Sequence, residues 1–138
     1  MLLQAFPSPG ADVALLLGRL LFGFVLAFMG LNHFVQREQM AGYAEAKGVP
    51  AGGLAVTLSG GLLLVSGVAI ALGAFPTLAA GALVVFFVVT TPLMHDFWAA
   101  PEDQQQQEMT HFLKNVVMLG ASLVVLAIST TPWQYSLL

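Results

Sequence analysis

The residues with the widest chemical reach in this chain are its three histidines, His33, His95 and His111, and the polar side chains near them, Asp96, Lys114 and Asn115. Imidazoles titrate near neutral pH and ligate metals. Three of them with a carboxylate suit a metal ion, a haem edge, or proton transfer to a quinol at a membrane boundary. Spacing selects none of these, and histidines at such boundaries commonly serve a structural hydrogen-bond network, which ranks ahead of metal or haem. No metal site is assigned, and no span carries a histidine pair on opposite sides of the bilayer, as a two-haem wire needs. The chain has no cysteine, so a disulfide, a thiolate metal site and a CxxC relay are excluded.

Four apolar stretches must position these groups, at about 11–34, 53–73, 77–94 and 112–131. Each is near the roughly 20 residues that cross a hydrocarbon core of about 30 Å. Apolar residues make up 58% of the chain and charged ones only 8%, against roughly 25% charged in soluble domains. The expected fold is all-α, a transmembrane four-helix bundle forming one domain over residues 1–138. The first stretch reads as a retained helix, because no positive residue precedes it and it outlasts a signal h-region of about 7–15 residues. The lipid bilayer is the expected partner. A net charge of −3 without a Lys/Arg cluster excludes nucleic acid.

An even number of spans puts both termini on one face, the terminal face, and the two long connections, 34–50 and 97–110, on the other, the loop face. Tyr43, Phe97, Trp98 and Phe112 mark the loop-face boundary and Phe6, Phe75, Trp133 and Tyr135 the terminal one. Arg37, Lys47 and Lys114 place the loop face in the cytoplasm of a cell-membrane protein by the positive-inside rule. The polar, proline-free segment Gln36–Lys47 reads as a short interfacial helix ended by Gly48 and Pro50, and the glutamine-rich run Glu102–Glu108 as solvated loop.

At about 100° per residue, Arg19, Gly23, Gly30 and His33 share one face of the first span while Asn32 points nearly opposite. An arginine inside a span costs roughly 2.5 kcal/mol or more unless it snorkels or is paired. Snorkelling to the terminal face, helped by water, Asp12 or the carbonyls ending the last span, is favoured over an anion or headgroup contact. In the second span, Ser59, Ser66 and Gly73, and Gly60, Gly67 and Ala74, recur every seventh residue, a flat surface for a neighbouring helix. Pro92 near the end of the third span leaves the Val88 carbonyl without its donor, so a kink and a small polar pocket are expected there. In the last span His111, Asn115, Met118 and Ser122 share a face flanked by Lys114. All three histidines, with Asp96, Lys114 and Asn115, thus fall at loop-face ends of the first, third and fourth spans.

The opening GRLLFGFVLAFMGLNHF, the G-V-P before the second span, its glycines, the histidine closing the third span and HFLKNVVMLGASL in the fourth resemble the DoxX-like family over about residues 15–125. The resemblance implies a four-helix membrane subunit. For some relatives it implies redox chemistry of sulfur compounds coupled to quinone, and for others assembly of larger membrane proteins. Arg19 in G-R-L-L, His33 in N-H-F, His95 in M-H-D-F, and His111, Lys114 and Asn115 in H-F-L-K-N match recurrent polar positions. Gly61-Leu62-Leu63-Leu64 departs from the pattern, because many relatives carry an acidic residue there.

On this reading a quinone-type or other amphipathic ligand binds at the loop face. His33 or His111 bonds its oxygen and exchanges the proton, Asp96 orients an imidazole, and Lys114 stabilises charge on the reduced ring. Arg19, Asn32 and Asn115 are the further ligand contacts, and a soluble or membrane redox partner supplies electrons. The rival expectation is a non-catalytic scaffold whose small-residue faces recruit another membrane protein or a second copy.

Overall fold

The structure is a computed structural model that describes residues 8–137; Phe6 lies outside the described residues. The elements are α1 (Ala11–Val35), α2 (Arg37–Ala46), α3 (Gly52–Leu72), α4 (Pro76–Met94), 3₁₀ turns at Phe97–Ala99 and Glu102–Gln104, and α5 (Gln105–Ile128). Four of the helices are long and apolar enough to cross a membrane, and no strand occurs among the described residues.

The first three spans lie within one residue of their sequence-predicted limits. The last differs: α5 begins at Gln105, seven residues ahead of the expected 112, and ends at Ile128 rather than 131. Its first turns read Gln-Gln-Gln-Glu-Met, which are good helix formers but polar, so hydropathy alone truncates them. Its end is set by Pro132, which has no N–H to offer the Ile128 carbonyl four residues back. That carbonyl instead accepts the Thr131 amide at 3.1 Å and the indole N–H of buried Trp133 at 3.0 Å. α2 fills the place expected for an interfacial helix. α4 continues through Pro92 to Met94. Between α3 and α4 the chain reverses on Gly73 at φ +71°, whose successor Ala74 donates back to Ala69 at 2.8 Å, and Pro76 opens the next helix.

The helices neighbour one another in the order α1, α3, α4, α5, with α1 against α3 the most extensive contact and α2 lying on α3. That contact depends on glycine. A Cβ at Gly23 would strike the Gly67 carbonyl oxygen, one at Gly67 the Gly23 carbonyl oxygen, and one at Gly30 would lie 2.6 Å from the Gly60 oxygen. In lipid, where apolar burial adds little, such close backbone approach is a main source of helix association. Leu26, Leu63, Ile70, Ala79, Leu83 and Phe87 form the core, with Met118, Leu119 and Val125 of α5 packed on it. Leu21, Phe28, Val65, Leu78 and Val117 point outward, as lipid-facing surface does.

Candidate functional site

The loop-face ends of α2, α4 and α5 meet in one polar cluster. α2 is fixed to α3 first: Arg37 Nε donates to Thr57 Oγ1 at 2.8 Å, and the Gly52 amide that opens α3 donates to Glu45 Oε2 at 3.1 Å. This sets Tyr43 and Lys47 over the ends of α4 and α5. Tyr43 Oη donates to Glu108 Oε2 at 2.6 Å and also lies 2.9 Å from the Met94 carbonyl oxygen. Lys47 Nζ donates to Asp96 Oδ1 at 2.6 Å and to Glu108 Oε2 at 3.1 Å. Glu108 is 7% exposed, so its charge is held in a poorly solvated place and depends on these donors.

The imidazoles of His95 and His111 stack beside this lattice, their centroids 5.1 Å apart and their planes at 30°. His95 Nδ1 is buried without a hydrogen-bond partner and faces Glu108 Oε1 at 3.6 Å. Burial, then the hydrogen bond and negative charge of Glu108, pushes the Tyr43 phenol up to about 12. Burial works against the Lys47 ammonium, but its bonds to Asp96 and Glu108 outweigh that and raise it to about 12. At neutral pH Lys47 is charged and Tyr43 keeps its proton.

Of the residues singled out in the sequence, the structure gathers His95, Asp96 and His111. Asp96 spends Oδ1 on Lys47, and the carboxylate that faces an imidazole is Glu108. His33 sits apart on α1, its Nδ1 at 2.8 Å from the Met29 carbonyl oxygen and its Cβ at the α3 surface beside Gly60. Asn32, Lys114 and Asn115 make no side-chain hydrogen bond among the described residues, and Lys114 is exposed. Tyr43 and Lys47 enter the sequence reading only as a boundary aromatic and an orienting charge, and Glu108 only as the end of a solvated run. Glu108 extends the row His111, Asn115, Met118, Ser122 by one turn towards the N-terminus, a signal hidden when its segment is read as loop.

Arg19 lies at the opposite end of the bundle. It is 3% exposed, and its guanidinium donates to the Gln134 carbonyl at 2.9 Å, to that of Tyr135, and through Nε to Ala71 at 3.3 Å. It also lies over the Trp133 ring, 5.5 Å from the centroid, a favourable cation–π placement. The Leu137 amide donates to Leu72 at 3.0 Å, so residues 132–137 strap the terminal face. Asp12 makes no ion pair with Arg19 among the described residues, and its Oδ1 is buried without a partner.

Among the described residues no three His, Asp, Glu or Cys side chains converge closely enough to hold a metal ion. An apolar groove of about 680 Å³ runs along α4, lined by Leu78, Gly81, Val85 and Val89 with Leu62 of α3, and reaches Thr90 near the cluster's end of that helix.

Four apolar spans with both long connections at one end define a multi-pass α-helical membrane protein. The chain belongs to the DoxX family, whose model matches residues 14–96, more than half of its length. The match runs from the first turn of α1 to Asp96, so α5, with Glu108 and the H-F-L-K-N segment, lies beyond it. No curated protein and no solved structure matches the chain.

Proposed function

We propose that this DoxX-family protein is a membrane subunit that binds a quinone-type amphipathic ligand beside its loop-face cluster and serves a redox assembly. One observation carries the reading: a stacked imidazole pair lies against a buried carboxylate and an ammonium where the spans end. Reduction of a quinone needs two electrons and two protons, and this cluster holds groups able to carry protons at neutral pH. His111, half-buried at the edge of the pair, would bond the ligand oxygen, and Lys114 on the adjacent surface would favour negative charge on the reduced ring. Asp96 would act through Lys47. The groove along α4 offers room for a hydrocarbon tail. Electrons come from a partner protein, and the basic residues at the loop face favour a cytoplasmic side for that partner in a cell membrane.

The test is mass spectrometry of small molecules retained by protein purified in mild detergent, comparing wild type, His95→Ala/His111→Ala and His33→Ala. Retention of a quinone by wild type and His33→Ala, with loss from the double variant, is the expected result. Ordinary lipid alone in all three would reject the ligand reading.

A second reading has its own support. Leu113, Val117 and Val124 of α5 are each more than half exposed, a long apolar face that suits packing against another membrane protein or a second copy. On that reading the polar cluster only locks the bundle, and crosslinking through α5 would capture a defined complex while histidine substitutions leave it intact.

A further inference from the structure

Glu108 uses its two oxygens unequally. Oε2 accepts both Tyr43 Oη and Lys47 Nζ. Among the described residues Oε1 has no hydrogen-bond donor, and the group facing it is His95 Nδ1, itself buried and without a partner there. The two atoms stand 3.6 Å apart. Moving them to the roughly 2.7–2.9 Å of a charge-assisted N–H···O bond takes less than an ångström, within reach of small side-chain rotations. His95 Nδ1 lacks a hydrogen bond among the described residues, and a proton on it can be shared with Oε1.

Burial disfavours a charged His95, and the negative charge of Glu108 works against that penalty. The groups facing this gap are Tyr43 of α2 and Lys47 just after it, His95 and Asp96 just after α4, and Glu108 and His111 of α5. Among them two carboxylates share one ammonium, so the cluster is one positive charge short of balance. A second proton on the imidazole pair is opposed, because His111 stacks 5.1 Å from His95 and two imidazolium charges at that distance repel.

We propose that Glu108 and His95 form a proton-binding pair that takes up one proton, held on His95 Nδ1 and hydrogen-bonded to Glu108 Oε1, with Tyr43 and Lys47 fixing the carboxylate. The pair stands on its own geometry and does not depend on which ligand, if any, the cluster serves. The proton enters from the loop face, where the His95 side chain is 21% exposed. No electron moves and no covalent bond other than N–H forms. Uptake adds a tie between the end of α4 and the start of α5, and release removes it.

The test is nitrogen NMR of the full chain in lipid nanodiscs, labelled with ¹⁵N-histidine, with signals assigned by His33→Gln, His95→Gln and His111→Gln. Followed from about pH 8 to about pH 5, one histidine of the wild type should gain a proton whose nitrogen shows the shift of a strong hydrogen bond. That signal should be His95, and Glu108→Gln should remove its hydrogen-bond signature while leaving His33 unchanged. Identical His95 behaviour in wild type and Glu108→Gln would overturn the proposal. If the glutamine variant is not recovered folded, the wild type decides alone. A hydrogen-bonded His95 imidazolium at the acid end of the range supports the pair, and a His95 that stays neutral throughout, or whose Nδ1 is free of any hydrogen bond, rejects it.

Discussion

At the scale of single residues the buried charges Arg19 and Glu108 are stabilised in different ways. Glu108 has charged and hydroxyl donors, whereas Arg19 has only neutral carbonyls and a ring face. Replacing Glu108 by Ala leaves Tyr43 and Lys47 without their shared acceptor. The expected loss is about 1–3 kcal/mol, read as a lower melting temperature in detergent, with Glu108→Gln intermediate. For Arg19→Leu we expect reduced recovery of folded protein with ligand retention little changed in what is recovered; normal folding with loss of a retained ligand would contradict the carbonyl-bound account. The sequence made Arg19 legible because a charge inside an apolar run is conspicuous. Glu108 was not legible, because four glutamines hid the helical phase that would have placed it under His111. The separation of His33 from the other two imidazoles was also invisible, since span topology specifies an end of the bundle and not a position around it.

At the scale of elements, the α1–α3 contact is held by reciprocal glycines and should tolerate no Cβ. Gly23→Ala or Gly67→Ala drives a methyl into a backbone carbonyl oxygen, and overpacking of this kind costs about 1–3 kcal/mol. Gly18→Ala and Gly120→Ala, whose Cβ would meet nothing within 4 Å, should be neutral or slightly stabilising through helix propensity. Thermal unfolding of the four variants, measured in one detergent, checks the contrast, and equal effects would refute the contact. The seven-residue recurrence of Gly60 and Gly67 disclosed this face in advance because helix periodicity is a local property. The early start of α5 did not show, since polar helix and solvated loop share a composition and only packing against α2 and α4 distinguishes them.

For the whole molecule, the loop-face lattice ties α2 to the α4–α5 pair through side chains that respond to alkali. The Tyr43 phenol is 10.0 unperturbed and about 12 in the fold, and the Lys47 ammonium 10.5 and about 12. In both cases the unfolded chain releases its proton first, so the folded state holds more protons between these limits and stability falls as pH rises through about 10 to 12. Melting temperature should be insensitive to these two groups up to about pH 10 and then decline, with a shallower decline in Tyr43→Phe/Lys47→Met. Tyr43 is 40% exposed, so solvent screening limits the size of the effect. An equally steep decline in the double variant would remove the lattice as its cause.

The strap over the terminal face also has a consequence in time. Arg19 belongs to the first span, but two of its carbonyl partners lie 115 and 116 residues further along the chain. On a ribosome the first span therefore enters the bilayer with its guanidinium unserved; the Ala71 carbonyl can take Nε once the second span is made, but the two terminal nitrogens wait until all four spans exist. Until Gln134 and Tyr135 arrive, that charge must be met by water or headgroups at the membrane surface, or by an insertase. The closing of the strap then marks the moment when the nascent bundle no longer needs that help.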